Sequence, residues 1–188
     1  MSSSAYYMFR NLGTKQVVGS VSPVLTVSAL TRSLKQIKEA ALRPPHIRED
    51  LWTPFVVAGN LTPDLALRTH LLFARIPKKE LTPELLALSK RERIPKIMNQ
   101  IEDRVTDLCR IYMYLEAKLG REAMPEVKLY WEQEALRNCV EKHGLAWPTF
   151  MSHRKLDLIR GRHIANPELV AAITPELPTE EVEASHQR

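Results

Sequence analysis

"AYYMFRNLGTKQVVGSV", residues 5–21, decides the fold class. Its two arms, AYYMFR and KQVVGSV, are rich in aromatic and β-branched side chains, which suit a pleated surface. NLGT between them is a four-residue connection carrying Asn and Gly, as hairpins commonly use. The reading is strand, turn, strand, so everything downstream has to be fitted around a sheet.

Outward from that hairpin, Val27, Leu30, Leu34, Ile37 and Ala41 recur at steps of three and four, with Arg32, Lys35 and Lys38 off the stripe. This spacing predicts an amphipathic helix with a basic outer face. Arg43-Pro44-Pro45 ends it, because proline lacks the amide hydrogen and disfavours helix in its predecessor. LWTPFVVAG, residues 51–59, reads as a third strand, and its internal Pro54 calls for an edge position or a bulge. LTPDLAL at 61 and LTPELLAL at 81 each set Thr at the N-cap, Pro at the first helical position and an acid in the first turn. The strongest periodicity runs from Met98 through Ile101, Val105, Leu108, Tyr112 and Leu115 to Leu119, with Gly120 as the stop. VKLYW at 127–131 alternates like a strand, and EQEALRNCVEKHG at 132–144 predicts a helix ending at Gly144.

The expected architecture is α+β: a small, largely antiparallel sheet built from the N-terminal hairpin and later strands, with helices packed on one face and a basic C-terminal extension. Three regions are expected: an α+β domain over residues 1–144, a basic extension over 145–165 where periodicity fails, and an acidic, mobile tail over 166–188.

Composition limits the function classes. A chain of 188 residues can bury a real core. Its pI of about 9.3 favours a polyanionic partner. The tail from Asn166 holds Glu168, Glu176, Glu180, Glu181 and Glu183 against Arg188, so of the 27 bases and 22 acids, residues 1–165 carry 26 and 17, a net +9. Cys109 and Cys139 stand too far apart for a CxxC redox or zinc pair, which fits a reducing compartment. No apolar run reaches the ~18 residues that a membrane-spanning helix needs. The first 38 residues lack Asp and Glu and are rich in Ser and Thr, the composition of mitochondrial import segments, although Arg10 and Arg32 are their only arginines.

Catalytic signatures are missing. The six glycines form neither a GxGxxG fingerprint nor a phosphate-cradling loop, and neither GxSxG nor HExxH occurs. No histidine pair has helical ligand spacing, so neither a metal nor a cofactor is expected. Glu102, Asp103 and Asp107 could be imagined as nuclease carboxylates, but Arg104 and Arg110 are interleaved with them, as on an ordinary solvated helix. The stretch HRKLDLIRGRH, residues 153–163, is harder to assign to a wetted surface, because it concentrates four fixed positive charges where apolar periodicity fails. Arginine's planar fork suits phosphate oxygens, and each phosphate neutralised releases counterions. Trp52, Trp147 and Phe150 could stack on bases, although aromatics beside prolines more often pack.

Four blocks carry a resemblance: YYMFRNLGTKQVVGS, HIREDLWTPFVVAGNL, VKLYWE and the closing W...HRKLDLIRGRHIANPE. In order and spacing they resemble the fungal mitochondrial homologous recombination protein family, also described as mitochondrion-specific proteins of the large mitoribosomal subunit. The resemblance spans most of residues 6–168 and departs from the family over 62–122. It implies a non-enzymatic protein of the mitochondrial matrix that binds mitochondrial rRNA and neighbouring mitoribosomal proteins as a structural component. It also implies an alternative role with mitochondrial DNA, in ATP-independent homologous pairing and gene expression. Neither role needs a small-molecule substrate. The expected RNA contacts are Arg154, Lys155, Arg160, Arg162 and His163, with Arg10, Lys15, Arg32, Lys35, Arg43 and Arg48 as a second basic surface.

Overall fold

The computed structural model describes residues 3–35, 44, 47–76 and 82–173. Arg43, Lys38, Ile37, Ala41 and the tail from 174 onward lie outside the described residues, as does the side chain of Lys35.

The expected hairpin forms from β1 (Ser4–Asn11) and β2 (Val17–Ser20), antiparallel, with Tyr7 opposite Ser20 and Arg10 opposite Val17. Asn11 shapes the turn: its Oδ1 accepts from the backbone N–H of Gly13 at 3.0 Å and of Thr14 at 2.9 Å. An Asn side chain bonding to the backbone just ahead of it stands in for a backbone turn.

The third strand, β3 (Trp52–Leu61), pairs antiparallel with the other side of β1. In the strand order β2-β1-β3-β4-β5 it is central, so Pro54 does not mark an edge. It marks a bulge instead. Met8 faces Val56 and Phe9 faces Pro54, leaving Phe55 without an opposite residue. The extra residue turns both Phe55 and Val56 toward one face, and both enter the same core cluster.

The sheet is completed by β4 (Val127–Trp131), antiparallel to β3, and β5 (Met151–Lys155), parallel to β4. The link between those two contains a 3₁₀ helix, Glu134–His143, where the periodicity predicts a helix. It ends at Gly144 with φ 66°, a left-handed residue that suits glycine. Part of the stretch read as an extension is therefore a strand of the sheet. Met151 enters the core and Lys155 lies opposite Trp131, a pairing between distant segments that helical periodicity could not register.

One face of the sheet carries α2 (Pro63–Arg75) and α5 (Ile101–Leu119). Thr62 caps α2 as expected, its hydroxyl accepting from Leu65 N–H at 3.2 Å, and Thr82 does the same for α3 (Pro83–Ala87) at 3.4 Å. A further helix, α4 (Lys90–Met98), precedes α5 and was not anticipated. On α5 the stripe Val105, Leu108, Tyr112 and Leu115 is buried against Tyr6, Met8 and Leu129. Leu119, the last residue of the predicted stripe, is exposed.

The opposite face is also covered, contrary to the single-faced arrangement expected. Leu30 and Leu34 of α1 (Val27–Lys35) and Leu169 of α6 (Pro167–Ile173) pack with Tyr7, Phe9, Val57 and Tyr130. The cause is in the strands: Tyr6 and Met8 point one way, Tyr7 and Phe9 the other, all four buried. A strand that is apolar on both faces needs cover on both. No helix among the described residues is long and apolar enough to cross a membrane.

Candidate nucleic-acid interface

The basic residues assemble around one end of the sheet, where β1, β4 and β5 finish and β3 begins. Arg10 lies opposite Thr53 and Asn11 opposite Trp52, while Trp131 lies opposite Lys155. Lys15 follows in the hairpin turn, its N–H bonded to Asn11 O. Arg48 precedes β3.

A second, two-stranded hairpin docks at this end. Leu158–Ile159 (β6) and His163–Ile164 (β7) pair antiparallel, and Arg160, Gly161 and Arg162 form the tip. Arg160 has φ 51° and Gly161 φ 67°, and Arg162 N–H bonds to Ile159 O. Two successive positive φ values are those of a type I′ turn, whose twist matches that of a hairpin. The Thr53 hydroxyl donates to Gly161 O and so fastens the tip to β3. At the base, Asn166 Oδ1 accepts from Asp157 N–H at 2.9 Å and Asn166 Nδ2 donates to Lys155 O at 3.0 Å. The tip is thus held at both ends while its two arginines stay exposed.

The expected contacts differ in how free their charge is. Arg10 donates to Glu132 Oε1 at 2.6 Å, with both side chains largely covered, so it is committed inside the protein. Arg48 forks onto Asp50 at 2.9 and 2.6 Å, and that hydrogen bonding holds the Asp50 carboxyl below its usual pKa. Arg162 adds to the field on Asp50. Lys155 stands 3.6 Å from Asp157. Lys15, Arg154, Arg160 and Arg162 are exposed and make no ion pair within 4.0 Å among the described residues. His163 is exposed on β7. Arg32 is exposed on α1, where it lines a pocket with Gln16 and Gln100.

The remaining candidates have structural places. Trp52 and Phe150 are buried in the two cores, which removes them as stacking platforms. Trp147 packs edge-on against Trp131 at 5.5 Å and against His153 at 5.6 Å. His153 Nδ1 accepts from the Trp131 indole N–H at 3.0 Å, and burial lowers its pKa. His153, the first residue of the basic stretch, is therefore tied into the aromatic core. Asp107 faces Arg104 at 3.1 Å and Arg110 at 3.6 Å, while Glu102 accepts from Lys142 at 3.0 Å. These carboxylates belong to ion pairs that fasten α5. Burial pushes the Cys109 thiol up to about 11, so it remains a thiol at neutral pH. No group of three or more His, Cys, Asp and Glu among the described residues is placed to hold a metal ion.

Sequence reading missed Thr53, Asp50, Glu132 and Asn166, which hold or neutralise the basic side chains. For Asn166 a signal was present. Asn166-Pro167-Glu168 repeats the cap, proline and acid order of Thr62-Pro63-Asp64 and marks the start of α6.

Fold and site define a basic α+β domain whose cations collect at one sheet end around a fastened hairpin. Residues 4–70 match the Mhr1 family, described as transcriptional regulation of mitochondrial recombination. No curated protein matches the chain. The matched segment runs from β1 into α2 and includes Arg10, Lys15, Arg32 and Arg48. The hairpin bearing Arg160 and Arg162 lies beyond it.

Proposed function

We propose that this protein binds mitochondrial DNA in the matrix and acts in the ATP-independent pairing of homologous strands and in mitochondrial gene expression. The observation that carries the reading is the match of residues 4–70 to a family of mitochondrial recombination regulators. The cationic sheet end supports it physically. Exposed guanidinium groups at Arg154, Arg160 and Arg162, outside any ion pair within 4.0 Å among the described residues, and the ammonium of Lys15 suit phosphates of any sequence. Aligning two strands needs charge neutralisation more than bond-making, so no catalytic constellation, metal or nucleotide cofactor is assigned.

A second reading is a structural protein of the large mitochondrial ribosomal subunit that holds rRNA and adjoins neighbouring mitoribosomal proteins. The burial of Trp52 and Phe150 favours it, because a surface without those platforms reads backbone rather than stacked bases. Sedimentation of the tagged protein from mitochondrial lysate separates the two. Migration with nucleoids, lost on DNase treatment and insensitive to RNase, is expected. Migration with the large subunit that collapses under RNase would overturn the DNA reading in favour of rRNA.

A further inference from the structure

The hairpin at the sheet end has two unlike faces. Side chains alternate along its strands, so Leu158 and Ile164, paired across it, pack against the core that holds Tyr7 and Tyr130, while the next pair, Ile159 and His163, stands on the outward face. Ile159 is 57% exposed, and His163 opposite it is exposed too. Arg160 and Arg162 follow at the tip, outside any ion pair within 4.0 Å among the described residues. Of the acids about them, Asp50 is held by Arg48 and Asp157 stands 3.6 Å from Lys155. A lone exposed apolar side chain is ordinary on a protein surface. This one is set apart by its mounting. Arg160 occupies the left-handed region at φ 51°, where Asn or Gly is the usual occupant of such a turn, so the tip carries a cation against its backbone preference. Thr53 and Asn166 fasten the backbone at tip and base, so Ile159 is presented from a fixed platform.

A fixed β surface bearing an apolar side chain beside arginines has the form of a wedge. Minor-groove binders open a base step by pushing such a side chain, isoleucine among them, between the bases, which kinks the duplex. This hairpin cannot instead enter the major groove as a free ribbon, because its inner face and its tip carbonyl are committed to the domain. Only its outward side chains reach in. We propose that Ile159 inserts into a base step of duplex DNA from the minor groove, with Arg160 and Arg162 on the flanking phosphates, and that the protein thereby kinks and locally unstacks the duplex. The proposal rests on the DNA reading above and adds to it a way of opening duplex without ATP. Contacts between arginine and phosphate offset the stacking that is lost, and a step that has lost its stacking is the easiest place for pairing to be exchanged. Pyrimidine–purine steps such as TA unstack most readily, so they are the steps that this wedge selects.

Three readouts on the full chain test this, with duplexes of about 20 base pairs that do or do not contain one central TA step. Energy transfer between dyes at the two ends reports bending, 2-aminopurine beside the step reports unstacking, and anisotropy reports affinity. Wild type should bend the TA duplex by about 20–90° and raise the 2-aminopurine fluorescence. Ile159→Thr keeps the β-branched side chain that a strand favours and loses its apolar end. It should bind the duplex with the salt slope of wild type and melt at the same temperature, yet leave the DNA straight and stacked. Ile159→Leu should restore the bend. Wild type that binds duplex without bending or unstacking it, an Ile159→Thr variant that bends it as wild type does, or a bend lost equally in Ile159→Leu would overturn the wedge and leave the DNA reading standing. Absence of duplex binding by wild type would refute the DNA reading beneath it. Binding to phosphatidylglycerol vesicles that Ile159→Thr abolishes, with no bend in DNA by wild type, would overturn the wedge in favour of an anionic membrane surface.

Discussion

Arg160→Asn combined with Arg162→Gln tests the sheet-end surface most directly. Alanine is the wrong probe at position 160, because its φ of 51° strains most side chains while Asn adopts that region readily. Both arginines are exposed and free of ion pairs within 4.0 Å among the described residues, so the double variant breaks no close ion pair and removes only the longer-range field of Arg162 on Asp50. Each duplex phosphate contact contributes about 0.9 to the slope of log affinity against log salt, so the slope should flatten by about 1.8. Between ~50 and ~200 mM salt, wild type should therefore lose about 12-fold more affinity than the variant. Fluorescence anisotropy with labelled duplexes of two unrelated sequences reads the slope, and circular dichroism melting verifies the fold. Arg48→Gln serves as the comparison: Asp50 already answers its charge, and the flattening should be much smaller. An unchanged slope in the double variant, with melting intact, would refute phosphate contact at the tip and direct attention to Lys15 and Arg154.

Other outcomes follow from packing and titration. Leu108 is fully buried in the core beneath α5, so Leu108→Ala should cost about 2–5 kcal/mol, seen by calorimetry as a melting point lower by at least ~4 °C. An unshifted melting point would mean that α5 does not pack as described. Gly19→Val should destabilise the fold by collision with Tyr6, and adding Tyr6→Phe should return part of the loss, giving a non-additive double-mutant cycle by urea unfolding; strict additivity would refute the contact. His70 and His153 both have pKa values lowered from 6.5 by burial, so below about pH 6.5 the unfolded chain takes up more protons than the folded one. Stability should be level above that pH and fall as the pH drops through and below it. A urea midpoint rising on acidification through this range would contradict the burial of both imidazoles.

Local signals were legible wherever neighbours in sequence are neighbours in space. The Asn11 turn, the Thr62 and Thr82 caps, the stripe of α5 and the Gly120 and Gly144 stops each depend on residues within one or two turns of chain. Pro54 was legible as an irregularity but not as to which kind, since an edge and a bulge both spare its missing N–H. Only the pairing of β3 between β1 and β4 decides for the bulge. The same limit applied to α4, whose mostly charged sequence, KRERIPKIM, buries only Ile97 and Met98.

By itself the sequence determined that a hairpin opens an α+β chain, that its body is basic and that HRKLDLIRGRH concentrates the charge. Charge is a property of residues, and periods of two and 3.6 are properties of local backbone geometry. Tertiary structure alone decided which of those charges are free. Glu132 lies 122 positions from Arg10 yet neutralises it, Thr53 lies 108 positions from Gly161 yet fastens the arginine tip, and His153 belongs to the Trp131 core rather than to the surface. Ion pairs and hydrogen bonds act over a few ångströms, and which groups come that close is set by strand order and register, through contacts between segments that local sequence patterns do not encode.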